Sequence, residues 1–283
     1  MNDPFVQIDG ARIRYWDSGG SGPSVLMTHG IGESLEFWHR QFDALGQSLR
    51  LIAWDMPGHG LSDELASAMS LDGQARVAWQ LLDQLGIEQA HLVGNSLGAA
   101  MSLRMADQKP ARVVSLVLCN SASLGAEVFG AFKLMTLPWL GELMNRPGPM
   151  AVAQQIKAIV LRPDAITPQV RTAIERNVHR PGASAHFLKL LRGMTTLGGQ
   201  RREVWARSHQ VLGSLGMPMR IVHGEQDVVL PIAHSIAAHS LCSGSELVRL
   251  QDCGHTPQLE QPAVFNALLQ KWFLQSESMA TSI

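Results

Sequence analysis

Near-continuous apolar runs occur at 24–29 (SVLMTH), 50–55 (RLIAWD), 90–95 (AHLVGN) and 113–120 (VVSLVLCN), and again at 219–224 (MRIVHG) and 246–252 (ELVRLQD). A strand that is apolar on both faces must be covered on both, which is the mark of a parallel sheet held between two helix layers. Helical spacing fills 34–47, 70–86 and 97–108; in the second of these Leu71, Ala75, Ala78, Leu82 and Leu85 recur at steps of three and four. Helices are also expected at 231–241 and 262–274. Two short runs, FVQIDG and ARIRYWDSG, split by a glycine turn, predict a hairpin ahead of the first core strand. Together these give an α/β fold with an eight-stranded, mostly parallel sheet and helices on both faces.

Between 124 and 210 the alternation stops. No strand pattern is visible there, while FGAFKLMTLPWLGELM, MAVAQQIKAIVL, PQVRTAIERNV and SAHFLKLLRGM read as helices punctuated by Pro138, Pro147, Pro149, Pro163, Pro168 and Pro181. A helical insertion at 124–210, placed after the sixth strand, is therefore expected within a body made of 1–123 and 211–283. The insertion holds 12 Lys/Arg against 5 Asp/Glu, although the whole chain holds 23 against 24. A basic insertion on an acidic body is either two complementary solvated surfaces or a device that steers an anionic substrate.

The remaining composition mainly excludes. A net charge of −1 offers no field for nucleic acid or an anionic membrane surface, and no stretch of about 18 apolar residues occurs. Cys119, Cys242 and Cys253 are too few and too scattered for a disulfide framework or a CxxC metal site, so buried free thiols are expected. With no signal-like run at the N-terminus, a cytoplasmic setting is the default expectation. A homodimer stays open beside a monomer.

Chemistry enters at GNSLG (94–98), which sets Ser96 between two glycines where a strand meets a helix. A hydroxyl is a weak nucleophile until a tight turn thrusts it toward a base, and the glycines allow the close backbone approach that such a turn needs. The base and its orienter are expected on loops at the same sheet edge. MRIVHGEQDVV releases Asp227 and LVRLQDCGHTPQLEQP releases His255, in the chain order Ser, Asp, His. Asp252 and Glu225 are weaker candidates for the acid, and the end of the VVSLVLCN strand, where an acid could also sit, holds Asn120. The other histidines form no HxH or HExxH pair, so neither metal nor cofactor is expected. An oxyanion needs backbone donors, for which HGIG offers the Ile31 amide and the elbow the Leu97 amide. His29 is read as a buried, hydrogen-bonded residue.

These motifs together resemble the α/β-hydrolase fold family. HGIG corresponds to its oxyanion loop, WDMPGHGLS (54–62) to the loop after the fourth strand, GNSLG to the nucleophile elbow, GEQD to the acid loop and GHTPQLEQP to the histidine loop. The resemblance implies that 124–210 is a cap over the site and that Asp55, Gly58, His59 and Gly60 hold a loop without doing chemistry. Ser96 stands where haloalkane dehalogenases and epoxide hydrolases carry Asp, and the single tyrosine is Tyr15, which sets those enzymes aside.

The chain is similar to capped ester hydrolases and to the carbon–carbon hydrolases of aromatic ring-fission products. In the latter a cap arginine grips the substrate carboxylate; here Ile174 stands in register, with Arg171 and Arg176 near it. The expected function is hydrolysis of a small ester, apolar or anionic, through an acyl-enzyme. Carbon–carbon hydrolysis is the first alternative and a non-catalytic ligand-binding protein the next. A lyase or cofactor-free oxygenase on the same triad stands behind these.

Overall fold

The apolar runs form the centre of one sheet in the computed structural model, which describes residues 3–242 and 244–280. Strands β1 (Phe5–Ile8) and β2 (Ala11–Asp17) make the opening antiparallel hairpin, turning through Asp9 and Gly10 at positive φ. β3 (Ser24–Thr28), β4 (Arg50–Trp54), β5 (Ala90–Asn95) and β6 (Val113–Cys119) follow. A two-residue ribbon comes next, β7 (Thr195–Thr196) with β8 (Gly199–Gln200), and then β9 (Met219–Gly224) and β10 (Ser245–Leu250). The eight-stranded sheet runs β1-β2-β4-β3-β5-β6-β9-β10, antiparallel at β1-β2 and β2-β4 and parallel beyond.

Alternation along each strand divides the interior into two cores. Leu26, Ile52, Leu92, Leu116 and Ile221 face the helix at Leu71–Gln84 and its neighbour at Leu97–Gln108. Their chain neighbours Met27, Ala53, Val93, Val117 and Val222 face Trp38, Phe265, Trp272 and Phe273 on the other side. Each fully buried Leu, Val or Phe contributes about 1.5–3 kcal/mol, so a one-residue slip in register, which would exchange the two faces, is strongly disfavoured. From β3 the chain steps outward to β4 and then crosses back to β5 on the opposite side of β3. The loops leaving β3 and β5 therefore diverge and open a crevice at the carboxyl edge of the sheet.

The chain between β6 and β9 carries helices at Gly130–Met135, Leu140–Met144, Pro149–Ile159, Pro168–His179 and Ala183–Met194. The first helical stretch expected from sequence is broken in two after Pro138, where Trp139 takes φ 67°. The ribbon β7-β8 carries no sequence signal, because two residues per strand show no alternation. A further helix at Arg202–Leu212 lies against the body: Arg104 donates to Val204 O and Ser208 Oγ, both at 3.1 Å, and Ser208 Oγ bonds Ser123 Oγ at 2.8 Å. Residues 202–210, grouped with the insertion because no strand pattern is visible there, thus pack on the helix at Leu97–Gln108. All three cysteines are buried and free. Among the described residues no helix is long and apolar enough to cross a membrane.

Candidate active site

Ser96 joins β5 to the helix at Leu97–Gln108 with φ 56° and ψ −116°. A non-glycine residue resists this conformation, so its surroundings must hold it. They do so through the backbone: Ser96 N–H donates to Cys119 O at 3.0 Å, and Ser96 O accepts from Ala100 and Ala122 at 3.2 and 3.1 Å. The flanking glycines are required by contact. A Cβ on Gly94 would lie 2.4 Å from Ala99 N, and one on Gly98 would lie 2.2 Å from Thr28 O and 2.5 Å from His29 O. This close approach sets the start of the helix against the exit of β3. The Leu97 and Ile31 amides have no hydrogen-bond acceptor among the described residues, as expected of N–H groups at a helix start and an open loop.

His29 has a structural role. It is fully buried, its Nδ1 lies 2.7 Å from Gly30 O, and its Nε2 accepts from Met56 N–H at 3.1 Å, which fixes the neutral tautomer with the proton on Nδ1. Burial brings its pKa down to about 4. Asp55 is structural too: its carboxylate accepts from the Leu35 and Leu61 amides, each at 2.8 Å, and from Arg14 at 3.1 Å.

The loops after β9 and β10 bring Asp227 and His255 together, with His255 Nδ1 at 2.7 Å from Asp227 Oδ2. The same oxygen accepts from Asn120 Nδ2 at 2.7 Å, while Oδ1 accepts from the Val229 and Leu230 amides at 2.7 and 3.1 Å. Burial works against the Asp227 charge, but His255 and His223 outweigh it and hold the carboxyl far below its usual range. Burial likewise opposes the His255 cation. The charge and hydrogen bond of Asp227, followed by the charges of Glu33 and Glu260, outweigh it and raise the imidazole pKa. The competing acids are elsewhere: Glu225 pairs with Arg249 at 2.8 Å, and Asp252 is exposed in the turn after β10.

Asn95 ties the serine to the histidine loop, since its Nδ2 donates to His255 O at 3.0 Å. Ser96 and His255 thereby reach one rim of the sheet, with only 6% and 3% of their surfaces exposed. Among the described residues no hydrogen bond joins Ser96 Oγ to the imidazole ring. Such bonds are often long without substrate and tighten when it binds.

Three further residues shape this rim and were not singled out as site residues from sequence. Asn120, at φ 44°, donates from Nδ2 both to Asp227 and to Gly254 O, the latter at 3.1 Å. Glu33 is buried on the oxyanion loop, where Oε2 accepts from Gly30 N–H at 2.8 Å, and burial pushes its pKa up to about 7. Glu260 accepts from the amides on either side of His255, Gly254 at 2.9 Å and Thr256 at 3.3 Å, and from Leu161 of the insertion at 2.7 Å. Asn120 entered the sequence reading only as a place where the acid does not stand, and Glu260 left a faint trace: a threonine four residues ahead of an acidic residue at a helix start is close to a capping box.

Neither nearby arginine takes the in-register position of a carboxylate grip. Arg176 binds Glu36 through Nη1 at 2.8 Å and Nη2 at 3.1 Å, and Glu36 is shared with Arg14 at 2.8 Å. Ile174 is fully buried. Among the described residues no group of three His, Cys, Asp or Glu side chains is arranged to hold a metal ion.

The family pattern for the alpha/beta hydrolase fold matches residues 23–147. An uncharacterized protein of Mycobacterium tuberculosis is 31% identical over 282 residues, spanning 96% of this chain and 81% of the relative. A 2-hydroxy-6-oxononadienedioate/2-hydroxy-6-oxononatrienedioate hydrolase of a Pseudomonas species is 28% identical over 268 residues, 93% of this chain and 92% of its own. Among solved structures, a meta-cleavage product hydrolase of Pseudomonas fluorescens, a serine-to-alanine mutant complexed with acetates, superposes with a TM-score of 0.80. It is 24% identical, and the match covers 96% of this chain and 98% of that one. With the eight-stranded sheet, the strained serine elbow and the acid and histidine loops at its carboxyl edge, these matches mean that the chain belongs to the α/β-hydrolase fold family.

Proposed function

We propose that the protein is a serine hydrolase that cleaves a small carboxylic ester through an acyl-enzyme on Ser96. The observation that carries this reading is the 2.7 Å contact of His255 Nδ1 with Asp227, made on the same rim as a serine held at φ 56°. Asp227 keeps the proton on Nδ1, which leaves Nε2 as the base. His255 takes the Ser96 proton as Oγ bonds the ester carbonyl carbon, and then returns it to the leaving alcohol. Water, activated by the same imidazole, releases the acid and restores Ser96. The Ile31 and Leu97 amides receive the oxyanion, each contributing about 10²–10³ in rate. No cofactor enters these steps.

The insertion acts as a cap over this chemistry. Gln155 donates to Gly32 O at 3.3 Å, and Ile31 packs with Phe132 and Phe187 around Met135, Leu188 and Leu191. An acyl group leaving Ile31 toward the cap meets apolar side chains, which favours an apolar acyl chain. In Ser96→Ala, turnover of a short aryl ester is expected to fall by roughly 10⁴–10⁶ with an unchanged far-ultraviolet spectrum. Wild-type turnover in that variant would sink the mechanism. Hydrolysis of a carbon–carbon bond in a vinylogous diketone is the second reading, favoured by likeness to the Pseudomonas hydrolase over most of both chains. Assaying such a diketone beside esters decides between them by which bond is cleaved with the higher kcat/KM.

A further inference from the structure

A cavity of about 550 Å³ opens between the insertion helix Pro149–Ile159 and the backs of the acid and histidine loops. None of Ser96, Leu97 and Ile31 lines it; its wall on the body side is Gln226, Val228 and Gly254, each one residue away from Asp227 or His255. Three features of the lining point to one kind of occupant. Ile156, Val160, Leu161 and Val228 give it an apolar surface, and two of these large side chains are left open to solvent, Leu161 at 43% and Val228 at 59%. Lys157 and Arg171 enter from two different helices of the insertion and bring positive charge to the same space. No lining residue is acidic, and among the described residues neither cation has a carboxylate within salt-bridge distance. The other arginine of the Pro168–His179 helix, Arg176, is by contrast bound to Glu36 at 2.8 Å.

We propose that this cavity is a second ligand site, separate from the acyl pocket, for an organic anion with an apolar body: a carboxylate on an alkyl or aryl chain. The volume falls within the range of small-molecule sites, about 300–1,000 Å³. The apolar surface contributes by removal from water, and the pair of cations selects the carboxylate over a neutral head group. Occupancy has a structural consequence. The chain that forms one wall is fastened to the histidine loop at two points, Ile159 O accepting from Thr256 Oγ1 at 2.9 Å and Leu161 N–H donating to Glu260 at 2.7 Å. A ligand that bridges this wall and Val228 braces the insertion against the residues next to both members of the Asp227–His255 pair. Acids of this class are also what ester cleavage releases, so the site is able to sense product. Binding itself does not depend on the proposed reaction.

The test is calorimetric titration of the full chain at low ionic strength with 4-phenylbutyrate, 4-phenylbutyramide and octanoate. Saturable binding of at least one carboxylate is expected, with the amide at least tenfold weaker. Lys157→Gln combined with Arg171→Gln should weaken the carboxylate at least tenfold and leave the amide unchanged; both side chains are exposed, and circular dichroism checks the fold. Ser96→Ala, and wild type first labelled with a fluorophosphonate, should bind as the untreated protein does. Absence of saturable carboxylate binding, equal affinity for the amide, or an unmoved affinity in the double variant overturns the proposal. Loss of binding on labelling Ser96 overturns it as well, because the ligand then sits in the acyl pocket. Failure of the hydrolase mechanism appears separately, as ester turnover that survives Ser96→Ala.

Discussion

The 2.7 Å contact between His255 and Asp227 determines how activity should respond to pH. A base must be neutral, and the ring is buried, which lowers the pKa of its cation; Asp227, Glu33 and Glu260 outweigh this and raise it. On the acid side kcat/KM should therefore fall with a midpoint above the ordinary imidazole value of about 6.5. Asp227→Asn removes the largest of the raising charges, so that midpoint should move to lower pH while kcat drops by about 10⁴. A pH–rate profile in which the variant keeps the wild-type midpoint would show that Asp227 does not act on His255. The sequence could point to Ser96, Asp227 and His255 as candidates because each needs only a local context: a strand end, a loop and the right order. Glu33 and Glu260 were not, because what gives them meaning is burial and amides brought from elsewhere. Leu161 lies 99 residues before Glu260 in the chain, and no local pattern records their meeting.

Among the elements, the helix Pro168–His179 shows how a basic insertion holds an acidic body. Arg176 from this helix and Arg14 from β2 share the buried carboxylate of Glu36, and Asn177 donates to Ser34 Oγ at 2.9 Å. Burial alone would raise the Glu36 pKa; Arg176, then Arg14, outweigh it and bring it down to about 2. Since the folded value lies below the unfolded one, this stabilisation is complete above about pH 4.5 and is lost as pH falls toward 2. Glu36→Gln strips Arg176 of its carboxylate and leaves the buried Arg14 with Asp55 and Asp3 alone, and breaking this buried pair should cost about 3–5 kcal/mol at pH 7. Arg176→Ala leaves Glu36 paired with Arg14 and should cost only about 1.5–3 kcal/mol. Urea unfolding at pH 7 and pH 3 checks both, and the gap between wild type and Glu36→Gln must narrow at the lower pH. The sequence signalled this helix through Pro168 and its apolar spacing, and it signalled the charge imbalance. It could not say whether Arg176 faced substrate or body, because Glu36 lies 140 residues away and on a different layer.

For the whole molecule, the question is whether insertion and body fold as one unit. The boundary drawn from the gap in the strand pattern runs through the helix Arg202–Leu212, which packs on the body, and this already argues against two independent parts. Polar links span the seam on several sides: Arg176–Glu36, Gln155–Gly32, Thr256–Ile159 and Leu161–Glu260. Each is buried or half-buried and has its partner on the other side, so separating the two parts would strand several groups at once, at about 1–3 kcal/mol apiece. A cost of that size favours a single cooperative transition over an unfolded insertion on a folded body. Thermal unfolding followed by near-ultraviolet dichroism, by far-ultraviolet dichroism and by residual hydrolase activity should therefore give one midpoint. Glu260→Gln sets an amide N–H₂ in the carboxylate's place, next to the Gly254, Thr256 and Leu161 amides, and removes a charge that raises the His255 pKa. In that variant hydrogen exchange at Leu161 and Gly254 should quicken, activity should be lost at a lower temperature than secondary structure, and the acid limb of the rate profile should shift to lower pH. If all three probes still coincide and the acid limb stays in place, Glu260 is a packing residue only, and the seam is held by the remaining links.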